Sequence, residues 1–61
     1  MKTVILRRNS YGINVVRTYK ELVPLSVGDV LVIEGREFEV MYVRLNTDKQ
    51  QYEVEYFEYE Y

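Results

Sequence analysis

Arg36-Glu37-Phe38-Glu39-Val40-Met41-Tyr42-Val43-Arg44-Leu45 and, after a polar loop, Tyr52-Glu53-Val54-Glu55-Tyr56-Phe57-Glu58-Tyr59-Glu60-Tyr61 decide how this 61-residue chain folds. Both stretches alternate apolar with polar residues, the period of a strand with one buried face. Both also change their apolar parity midway. Phe38, Val40 and Tyr42 give way to Met41, Val43 and Leu45, and Tyr52, Val54 and Tyr56 give way to Phe57, Tyr59 and Tyr61. A one-residue slip turns every side chain of a strand to the other face, so only registers that superimpose the two changes keep apolar against apolar. The best of these sets Leu45 opposite Tyr52, Val43 opposite Val54 and Met41 opposite Tyr56, with Val40 opposite Phe57 and Phe38 opposite Tyr59. Arg44 then faces Glu53, an opposite-charge cross-strand pair. Two strands that exchange faces at one level describe a strongly coiled central hairpin, passing from one sheet of a small barrel into the other.

Working outward, Glu34-Gly35 marks a tight turn, and Val30-Leu31-Val32-Ile33 before it is apolar on both faces, as in an interior strand. Ser26-Val27-Gly28-Asp29 supplies the turn that leads into it. Upstream, residues 2 to 8 around Val4-Ile5-Leu6 and residues 13 to 19 read as two strands joined by Asn9-Ser10-Tyr11-Gly12. Pro24 closes any helical turn begun at Lys20, so 20 to 25 is a connector. The expected fold is all-β: one domain over 1–61, a five-stranded antiparallel barrel. Its expected core is Val4, Leu6, Val15, Leu31, Ile33, Phe38, Val40, Val43, Val54 and Phe57.

The stretch Val27-Gly28-Asp29-Val30-Leu31-Val32, with Gly35 at the next turn and Phe38-Glu39-Val40 beyond it, resembles the central hairpin of SH3-like small β-barrels. The resemblance covers about a third of the chain. It implies a binding module for proteins, peptides or nucleic acids without choosing among them. The Gly-rich basic loop of translation-factor barrels is missing.

Composition narrows the function classes. With no histidine and no cysteine, disulfides, a zinc site and the usual nucleophile and base pairs are all excluded. Ser10 and Ser26 sit in turns, where hydroxyls satisfy backbone. No catalytic residue, metal site or cofactor is expected, and the chain reads as a binding protein rather than an enzyme. The longest aliphatic run, Val30 to Ile33, is too short to span a bilayer, and no leader precedes it. A cytoplasmic location is expected, and the span from Met1 to Tyr61 reads as a complete tiny gene product of the kind phages carry.

Charge is segregated. Residues 1 to 20 hold five basic side chains and no acid, and residues 21 to 61 hold ten acids against three basic groups, giving +5 and then −7. Either the molecule has a basic and an acidic face, or the two regions neutralise each other across the fold. In the register above, Glu39 faces Glu58 and Glu37 faces Glu60, a row of like charge that folding alone avoids. Flanked by Tyr42, Tyr59 and Tyr61, it reads as the contact surface for a protein partner with a basic surface. Spaced carboxylates also suit an inhibitor that imitates a nucleic-acid backbone. The alternative is nucleic-acid binding through the first hairpin, with Arg7, Arg8, Arg17 and Lys20 for phosphates and Tyr11 and Tyr19 for stacking. The C-terminal strand, read as a sheet edge, also permits a homodimer.

Overall fold

The strands of the computed structural model, which describes residues 1–59, begin and end at the turns that the sequence marks. They are β1 (Lys2–Asn9), β2 (Gly12–Tyr19), β3 (Val30–Ile33), β4 (Arg36–Asn46) and β5 (Gln51–Phe57). The β3–β4 turn is a two-residue loop in which both Glu34 (φ 52°) and Gly35 (φ 77°) take positive φ, the conformation whose twist matches that of the flanking strands. Ser10-Tyr11 makes the β1–β2 turn, where Asn9 Oδ1 accepts a hydrogen bond from the Tyr11 amide at 2.9 Å. Asn46 does the same for Lys49 at 3.1 Å in the β4–β5 loop.

The five strands form one curled sheet, a half-barrel, in the order β2-β1-β5-β4-β3. The likeness to small β-barrels holds at this level. The sheet is mixed, which corrects the expectation of a purely antiparallel barrel: β1 pairs with β5 in parallel, from Lys2 with Gln51 to Arg8 with Phe57. Parity is the reason. Direction reverses at each of the four connections, so the first and fifth strands run the same way and pair in parallel once they become neighbours. β5 therefore lies inside the sheet, and the open edges are β2 and β3, not the C-terminal strand.

The β4–β5 register follows the expected phase from Leu45 with Tyr52 through Arg44 with Glu53 and Val43 with Val54 to Tyr42 with Glu55, then departs from it. Val40 stands opposite Tyr56, where Met41 was expected, because Met41 is an extra residue in a β-bulge. The face change of β4 is this bulge. β5 has no change of face: Tyr52, Val54 and Tyr56 line the inner side, while Glu53, Glu55 and Phe57 alternate on the outer. Val40 therefore packs with Tyr56 rather than Phe57, and the Phe38 ring lies 4.7 Å from that of Tyr56.

The core is Ile5, Val40, Val54 and Tyr56, with Val16, Leu25, Leu31, Ile33, Phe38, Val43 and Tyr52 packed against it. Val4 and Leu6 are buried as expected, on the outer side of β1. Val15 is not: a second bulge between β1 and β2 gives Val16 to the core and leaves Val15 64% exposed. The connector is held under the sheet by Thr3, whose hydroxyl donates to the Glu21 carbonyl and accepts from the Val23 amide. Tyr52 adds a hydrogen bond to the Leu25 carbonyl at 3.1 Å. Among the described residues no helix is long and apolar enough to cross a membrane.

Candidate protein-binding face

The outer face is built over two glutamates that alternation alone would give to solvent. Glu55 is 0% exposed and Glu53 is buried beside it on β5. Arg44, across the ladder on β4, donates to Glu53 at 2.7 Å and to Glu55 at 3.0 Å. Arg8, from β1 on the other side, donates its Nε to Glu55. Gln51 and Asn46 complete the shell of Glu53 at 2.5 and 3.2 Å.

Burial pushes both carboxyls up, but the hydrogen bonds outweigh it. Gln51, Arg44 and Asn46 hold Glu53 below the usual carboxylate range, and Arg8 and Arg44 do so for Glu55. Arg44 is in turn raised, first by its bond to Glu53. A buried carboxylate with two guanidinium donors remains ionised.

The segregated charges of the sequence thus meet across the parallel β1–β5 pair. Glu58, just past β5, turns to the inner side. There it accepts from Arg36 at 2.5 Å and lies 3.5 Å from Arg7, while its amide donates to the Arg8 carbonyl. The expected opposition of Glu39 and Glu58 is absent: the bulge moves the register by one residue, and Glu39 is paired with Val30 on β3. Glu37 is likewise paired with Val32. Its expected partner, Glu60, and the neighbouring Tyr61 lie outside the described residues.

Alternation places Glu37, Glu39 and Tyr42 of β4 on the outer face with Phe57. There Tyr42 meets Phe57 edge-on at 6.2 Å, and Phe57 stacks on Tyr59 at 6.4 Å. Tyr42 is 54% and Tyr59 76% exposed. Arg8 lies 5.9 Å over the Phe57 ring, and an open depression is lined by Arg8, Tyr42, Arg44 and Phe57. Sequence reasoning missed Phe57 here, having given it to the core, and missed the two arginines that frame the row. Arg44 was legible through Glu53, but Arg8 needed the β1–β5 neighbourhood.

The basic hairpin is divided. Arg7 and Arg8 are engaged by Glu58 and Glu55. Arg17 and Lys20 carry no ion pair among the described residues. Tyr11 is exposed at the turn, and Tyr19 lies at the far end of β2 beside Thr3. No group of histidine, cysteine and acidic residues among the described residues is arranged to hold a metal ion. The chain matches no family model, no curated protein and no solved structure in the comparisons made.

Proposed function

We propose that this chain is a non-enzymatic binding module that engages another protein through the outer face of β4 and β5. The observation that carries the reading is the aromatic row in which exposed Tyr42 and Tyr59 flank the half-buried Phe57, braced from below by Arg8, Arg44 and the buried Glu55. Tyrosine offers large contact area with a polar tip at small entropic cost, and aromatic and arginine residues dominate the energetic centres of protein interfaces. The arginines are pre-ordered by their carboxylates, so little ordering remains to be done on binding. Glu37 and Glu39, on the same face and free of ion pairs among the described residues, favour a partner with a basic surface.

An inhibitory role fits this surface. Nucleic-acid mimicry has less support, because Glu53, Glu55 and Glu58 spend their charge inside the fold. Binding of nucleic acid has less support for the matching reason, since Arg7 and Arg8 are occupied. The test is affinity capture from the native host's lysate with the full chain. Tyr42→Ala with Tyr59→Ala is expected to abolish capture, and Glu37→Lys with Glu39→Lys to slow association. Unchanged capture by both variants, with loss on Arg17→Glu and Lys20→Glu, overturns the reading. A salt-sensitive gel shift with DNA or RNA would then point to the basic hairpin.

A further inference from the structure

We infer that the open edge of β2 is the docking site for a second copy of this chain, the two β2 strands pairing antiparallel about a two-fold axis at Asn14. The surface is separate from the aromatic row and does not depend on its role.

β2 is an eight-residue strand at the edge of the sheet, Gly-Ile-Asn-Val-Val-Arg-Thr-Tyr, with no proline and a single charge, Arg17. Long, apolar, uncharged edges present unpaired amides and carbonyls, and proteins that stay monomeric shorten or charge them. The other edge, β3, is protected in that way. It has four residues, and its exposed Val30 and Val32 stand beside Glu39 and Glu37, so a second copy brought there meets like charge.

At β2 the outer face instead carries two exposed apolar residues, Val15 opposite the buried Leu6 and Ile13 opposite Arg8. The strand is self-complementary. With Asn14 opposite Asn14 of the second copy, Ile13 stands opposite Val15 of the second copy and Val15 opposite its Ile13, on one face. The same register keeps the two Arg17 side chains apart. A foreign strand has no such matching built into this sequence, which favours a like partner.

With no cysteine or histidine to staple a thin core, pairing also gives the fold support that small domains otherwise take from disulfides or metal.

Sedimentation equilibrium on the intact chain over about 1 µM to about 1 mM reads this directly. The expected result is a mass rising from 7.4 kDa toward twice that value. Val15→Lys, at an exposed position, is expected to hold the chain monomeric with its melting temperature at low concentration unchanged. Because the chain has no other thiol, Asn14→Cys tests the register: mild oxidation is expected to join two copies, while Thr18→Cys stays largely unjoined, since paired antiparallel residues alone bring Cα atoms within disulfide reach. A monomer at every concentration overturns the inference, as does a dimer indifferent to Val15→Lys or one that crosslinks through position 18 in preference to 14.

Discussion

Val40 faces Tyr56 across the β4–β5 ladder, one step out of phase with the pairing of Val43 and Val54, and the residue that absorbs the difference is Met41. Deleting Met41 therefore leaves every other β4–β5 pair able to form: Val40 still points inward, Tyr42 outward and Val43 inward. The shortened chain is expected to fold, with cross-strand amide contacts by NMR still joining Val40 to Tyr56 and Val43 to Val54. Deleting Val43 instead inverts one half of the strand, and that variant is expected not to fold. Failure of both deletions would mean that the curvature supplied by the bulge is itself required.

Phe38 and Val15 were both expected in the core, and the fold separates them. Phe38→Ala is expected to cost about 3 kcal/mol by chemical denaturation, through lost packing against Tyr56. Val15→Ala, at low protein concentration, is expected to stay within about 0.5 kcal/mol of the parent. Equal losses at the two positions would contradict the second bulge.

Glu55 sets the acid limb of stability. Its carboxyl and that of Glu53 are held below their ordinary value in the folded chain, so the unfolded chain binds more protons as pH falls. Their stabilisation is complete above the unfolded value of about 4.3 and is lost as pH drops through the lower folded values. The melting temperature is expected to decline below about pH 4. Glu55→Gln leaves Arg8 and Arg44 without their shared charge. It is expected to cost about 2 to 3 kcal/mol at neutral pH, less than a fully buried pair because both arginines reach solvent, and to flatten the decline.

Glu34 occupies a left-handed conformation at φ 52° that a residue with a long side chain adopts at a cost of about 1 kcal/mol. Glu34→Asn keeps the turn and suits the angle, and is expected to raise the melting temperature by several degrees. No gain, or a loss, would show that Glu34 has a compensating contact.

What the sequence made legible was the part of the hairpin where alternation is undisturbed. Leu45 with Tyr52, Arg44 with Glu53 and Val43 with Val54 follow from parity and one charge pair. Beyond Met41 the same reasoning placed a change of face in both strands, because a pattern of apolar residues reports that a face changes and not which strand holds the extra residue. Alternation alone gives Glu55 to solvent: the arginine that covers it from β1 lies far away in sequence, and only the strand order brings it near. Of the contact surface, Glu37, Glu39, Tyr42 and Tyr59 share one face, whereas Glu58 was drawn inward by Arg7 and Arg36, partners that no local pattern reveals.

The parallel pairing of β1 with β5 joins residues 49 positions apart, from Lys2 with Gln51 to Arg8 with Phe57. During synthesis the first strand thus leaves the ribosome long before its inner neighbour exists. Val4, Ile5 and Leu6 must wait, with only β2 beside them, until Gln51 to Phe57 have been made. Closing so long a loop is slow relative to hairpin formation. Assembly of the sheet therefore cannot precede the synthesis of β5, and a nascent chain stalled before Gln51 would present an apolar hairpin to any chaperone or protease near the exit tunnel.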